Sequence, residues 1–202
     1  MSKTSGAPCY AEAAVSPRPR TSPPLVAGAD LTVVAGQLRR MPHAMSRVVA
    51  RCPLGFPAAV ETLPYDSRGR PFPTLFYLTC PTLVAAVSRL EGDGGVRVWS
   101  ARLAAEPELA RAVRAAATAA RRRRRELVRR YDLWMVDDGA SLTTGVGGVS
   151  DVRALKCLHA HVAHALARPG YAVGRAVLAD AEDAWCGDGR CAAFVPPVGA
   201  VP

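Results

Sequence analysis

The most constraining stretch of this chain is a junction. Thr74-Leu75-Phe76-Tyr77-Leu78-Thr79 is rich in aromatic and β-branched residues, the composition of a strand, and it runs straight into Cys80-Pro81-Thr82-Leu83-Val84. Pro81 suits the first position of a helix, where its missing N–H costs nothing. A strand that becomes a helix within two residues leaves Cys80 at the helix N-cap. There the free amides and the positive end of the helix dipole favour an anion. The expectation is a lowered thiol pKa and an enlarged thiolate fraction at Cys80.

Two further strands precede this junction. They are read at 46–51 and 58–63, separated by the turn Cys52-Pro53-Leu54-Gly55-Phe56-Pro57. Prolines fix φ on both sides of that turn and Gly55 permits its reversal. Asp66-Ser67-Arg68-Gly69-Arg70 forms a second turn. Asp30 caps a first helix to about residue 40. After the junction, Gly92 to Gly95 ends one helix, and Val96-Arg97-Val98-Trp99 reads as a short strand. A long helix is predicted from Pro107 to Tyr131, another from Asp151 to Ala167 and a last one over 172–183. The fold class expected is α+β, a small antiparallel sheet packed against three or four helices. Residues 30–195 would form a single globular domain. Residues 1–29 hold prolines, Ser, Thr and Ala without an apolar period, so they read as a disordered tail, and 196–202 as a C-terminal tail.

No apolar run approaches the roughly 18 residues of a membrane span, and the N-terminus lacks the apolar region of a secretory signal. The expected localisation is cytoplasmic. Thiols stay reduced there, so six cysteines point to metal or redox chemistry rather than a disulfide frame.

Thiol and imidazole are the soft ligands of zinc and the usual nucleophile and base. Cys52, Cys80 and Cys157 are the expected anchors of a site, with His159, His164 or Cys191 completing the ligand set. On a helix over 151–167, Cys157, His161 and His164 would share one stripe, and Cys157 and His161 would have i, i+4 spacing. Zinc is the first metal expected and an iron–sulfur cluster the second. The alternative is a thiol-dependent enzyme in which Cys80 attacks, a histidine such as His159 is the base, and Lys156 holds an anionic substrate.

The net charge of +9 is concentrated. Arg121 to Arg130 holds seven arginines and one glutamate. On the long helix, Arg111, Arg114, Arg121, Arg122, Arg125 and Arg129 gather opposite the apolar face of Leu109, Val113, Ala116, Ala120 and Leu127. They span roughly 27 Å at 1.5 Å per residue. Such a face follows a phosphate backbone or docks on an acidic protein; a solvated helix face is the plainer reading. No phosphate-binding glycine loop, dinucleotide fingerprint or nucleophile elbow is present.

Three ordered motifs carry a resemblance. R-C-P-x-G-x-P at Arg51 to Pro57, P-F-P-T-x-x-Y-L-T-C-P at Pro71 to Pro81, and K-C-L-H at Lys156 to His159 with His164 beyond resemble the uncharacterised bacterial "domain of unknown function 501" family, over about residues 46–191. The family has no established activity. Its gene neighbourhood implies a link to cell division or to phosphate metabolism, and the first would suit an adaptor using the basic helix. The chain departs from the family pattern at Ala115 to Ala120, where relatives carry a histidine and aromatic residues, and His161 is not part of that pattern.

Overall fold

The computed structural model describes residues 28–151 and 153–196. The expected disordered tail lies outside the described residues, save Gly28 and Ala29, which open the first helix. Of the expected C-terminal tail, residues 197–202 lie outside them.

The chain is α+β. Helix α1 (Gly28–Leu38) leads to strands β1 (Met45–Arg51), β2 (Pro57–Thr62) and β3 (Phe76–Leu78). Helices α2 (Pro81–Gly92), α3 (Gly95–Ala105), α4 (Pro107–Tyr131), α5 (Leu158–Ala167) and α6 (Ala172–Asp180) follow. The sheet is antiparallel in the order β1-β2-β3, with Val48 opposite Val60 and Ala59 opposite Leu78.

Central strand β2 is buried along its whole length. Its alternation decides what lies on each side. Val60 points to α1, where Val34 and Met45 complete a small cluster. Ala59, paired with Leu78, joins the main core together with Phe76, Leu83, Trp99, Leu127, Leu158 and Val162. Helix α5 lies across β3 and packs on α6. Gly174 allows that crossing, because a Cβ there would stand 2.7 Å from the Ala165 Cβ.

The strand expected at Val96–Trp99 is the first turn and a half of α3. Its β-branched residues favour a strand locally, but Trp99 and Leu103 are buried at i, i+4 spacing, and burying that helical face outweighs the local preference. Gly95 opens α3 where a Cβ would meet the Leu90 carbonyl oxygen at 2.5 Å. Helix α5 starts at Leu158, seven residues after the expected start at Asp151, and Cys157 is its extended N-cap, φ −150° and ψ 119°. The stripe of Cys157, His161 and His164 therefore does not exist. Cys157 precedes the helix, while His161 and His164 are buried.

Candidate metal centre

Helices α2 and α5 together build the site. On α2, Val84, Ser88 and Glu91 recur at i, i+4 and i+7, so one face carries a carbonyl, a hydroxyl and a carboxylate toward the start of α5. The first amide of α5, Leu158 N–H, donates to Glu91 Oε1 at 2.5 Å. A carboxylate from α2 thus answers the free amides at the positive end of α5.

His159 stands between these elements. Its Nε2 lies 3.1 Å from the Val84 carbonyl oxygen and 3.1 Å from Ser88 Oγ. A carbonyl only accepts, so Nε2 carries the proton and donates it to Val84. Nδ1 faces the other way, 3.2 Å from Glu91 Oε1 and 3.8 Å from Cys157 Sγ. One atom each from Glu91, Cys157 and His159 lies within 4.8 Å of the others, an arrangement that could hold a metal ion. Burial works against the imidazolium, but the Cys157 hydrogen bond, the Glu91 charge and the Val84 carbonyl outweigh it. The His159 pKa is raised to about 9. Protonation of Nδ1 is therefore favoured. A cavity of about 280 Å³ adjoins the cluster, bounded by Cys157, His159, Phe76 and Val84.

The remaining expected ligands are elsewhere. Cys80 is the N-cap of α2, as its sequence position implies, but it is 2% exposed and makes no side-chain cap. Burial pushes its thiol pKa up, and the Leu83 and Thr82 amides counter this too weakly. The expected activation of Cys80 is thus reversed, because desolvation of a thiolate exceeds what the helix end supplies. Cys52 and Cys191 are the other buried cysteines whose charges bear on Cys80. Gln37 Nε2 donates to Cys191 Sγ at 3.3 Å. Among the described residues these sulfurs do not form a three-ligand group at metal-binding distance. Lys156 is exposed beside Cys157. His164 lies further along α5, edge-on to Phe76 and Tyr171. The six expected ligands are therefore divided, and only Cys157 and His159 share a site.

Sequence reasoning missed Glu91. Its spacing from Val84 and Ser88 marks a common helix face, but nothing local tells that the face meets a loop 66 positions away.

The arginine run is also divided. Arg114, Arg122, Arg125 and Arg129 are exposed, and Arg111 pairs with exposed Glu108. Arg121 is half-buried near the Thr144 carbonyl. Arg123 and Arg124 turn inward. Arg124, 1% exposed, bonds the carbonyl oxygens of Thr144, Pro73 and Gly145.

A family model described as a protein of unknown function (DUF501) matches residues 48–179. The chain belongs to the DUF501 family. In this DUF501 chain the matched segment holds Cys52, Cys80, Glu91, Cys157, His159 and His164, whereas Cys191 falls beyond it. Comparison with curated proteins and with solved structures found no match. No helix among the described residues is long and apolar enough to cross a membrane.

Proposed function

We propose that the protein binds a divalent transition metal, zinc first, through Glu91, Cys157 and His159. The observation that carries this reading is the commitment of His159 Nε2 to Val84, which turns the Nδ1 lone pair toward a thiol and a carboxylate. Metal-binding histidines commonly donate their second ring N–H to a backbone carbonyl in this way. With Zn–S about 2.3 Å and Zn–N or Zn–O about 2.0–2.2 Å, tetrahedral ligand atoms stand roughly 3.5 Å apart. The separations of 3.8 and 3.2 Å bracket that value. One thiol, one nitrogen and one oxygen suit a single zinc ion better than an iron–sulfur cluster, whose irons take mainly cysteine thiolates. Three protein ligands leave a fourth position for water or substrate, the layout of catalytic rather than structural zinc. The adjoining cavity would give that position access.

Metal analysis of anaerobically purified protein tests the proposal. About one ion per chain is expected, together with a thiolate-to-metal absorption band on cobalt substitution, both lost in Cys157→Ala and His159→Ala. A stoichiometry near zero and no such band after cobalt is added would sink it.

The same geometry supports a second reading, a thiol nucleophile. Cys157 Sγ lies within reach of an imidazole and beside a cavity, and Lys156 next to it would attract an anionic substrate. Faster alkylation of Cys157 than of Cys52 or Cys80 in metal-free protein supports this reading; equal, slow rates at all three would remove it.

A further inference from the structure

We propose that the pocket between α4 and α5 binds one tetrahedral oxyanion of the phosphate class through Arg122, Arg168 and His164. The pocket has a volume of about 160 Å³ and lies under the edge of Phe76. That is well below the roughly 300–1,000 Å³ of sites for drug-sized ligands, so it suits a small anion.

Charge is the first argument. Four charged side chains line the pocket. Arg123 is committed to both oxygens of Glu61 and to Glu126 Oε1 at 2.7 Å, so Glu126 is already answered. Arg122 and Arg168 form no ion pair among the described residues. Arg168 has only the neighbouring Ala167 carbonyl oxygen at 3.4 Å and the Phe76 ring at 5.8 Å. Behind the wall lies Arg124, bonded to carbonyl oxygens and to no carboxylate. A buried cation without a counter-ion raises the potential around it, since little water screens it.

His164 supplies the second, independent argument. It is 4% exposed and lines the pocket, yet its ring nitrogens make no hydrogen bond among the described residues. Its neighbours are the edges of Phe76 and Tyr171. An oxyanion in the pocket would accept from the imidazole N–H and from two guanidinium groups at once, and guanidinium is the group best shaped for phosphate.

Titration with inorganic phosphate and with sulfate at constant ionic strength, followed by the imidazole NMR signals, tests the proposal. Saturable binding that moves the His164 signals and leaves His43 in place is expected. Arg122→Gln and Arg168→Gln change exposed side chains and should each weaken binding about tenfold. Arg114→Gln, two turns away on the same helix, should leave it unchanged, as should Cys157→Ala, which removes only the proposed metal thiolate. Unsaturable binding, or equal weakening by the Arg114 and Arg122 substitutions, would mean a diffuse basic surface and overturn the site. Acetate binding as tightly as phosphate would overturn the tetrahedral class.

Discussion

Arg123 holds Glu61 by a two-point fork, Nε to Oε1 at 2.9 Å and Nη2 to Oε2 at 2.9 Å. The fork fastens α4 to the central strand. Arg47 from β1 adds Nε to Oε2 at 2.8 Å. The Glu61 side chain is fully buried, which alone would raise its pKa, but Arg123 and Arg47 outweigh burial and hold it below the ordinary glutamate value.

Glu61→Ala should therefore destabilise the fold by about 3 kcal/mol, the low end for breaking a buried pair, because Arg123 keeps Glu126. Urea unfolding at pH 7 measures this. A depressed carboxyl pKa contributes stability above its unfolded value, and that contribution is lost as pH falls through the folded value. The gap between the two proteins should narrow below the unfolded glutamate pKa of about 4.3.

Gly174→Ala should cost about 1–3 kcal/mol, the usual range for overpacking. The new methyl would press on the His161 carbonyl oxygen and on Ala165 across the α5–α6 contact, and backbone cannot swing aside as a side chain can. Thermal unfolding checks it. Gly170→Ala, at a position with open space around it, is the matched control.

Two buried histidines should make the protein acid-sensitive. Burial and the adjacent His164 lower His161 to about 4. Burial, Arg168 and Arg124 lower His164 to about 4. His161 Nδ1 meets the Tyr171 hydroxyl at 2.5 Å. Both rings are neutral in the fold and take up protons near 6.5 when unfolded. Their contribution is full above that value and is lost as pH falls from there toward 4. The unfolding free energy should drop over that window with an uptake of up to two protons, read from denaturant melts across pH 4–8.

His159 should behave in the opposite sense in metal-free protein. Its raised pKa near 9 contributes stability that is full below about 6.5 and is lost as pH rises through 9. An NMR titration of the four imidazoles should find one ring titrating near 9. If every ring titrates below 7, the pairing with Glu91 and Cys157 is absent in solution.

The local elements were largely legible along the chain. Pro107 to Tyr131 is read as helix from its first to its last residue, because its period is helical. Cys80-Pro81 is read as a helix start because proline suits the first helical position. The failures came where contact outweighed propensity. Val96 and Val98 look like strand residues, yet Trp99 and Leu103 need a helix to reach the core. The residues before Leu158 look continuous with α5, yet Cys157 is extended.

Which side chains meet is a different kind of information. Period and punctuation act over a few residues, and they were enough to set out the three strands of the sheet and most of the helices, though not α3 or the start of α5. Glu91 meets His159, Arg123 meets Glu61, and Cys80 lies apart from Cys157 because separate helices cross the sheet at particular heights and angles. That geometry comes from burying apolar faces against one another, a sum over the whole core that no short window of residues contains.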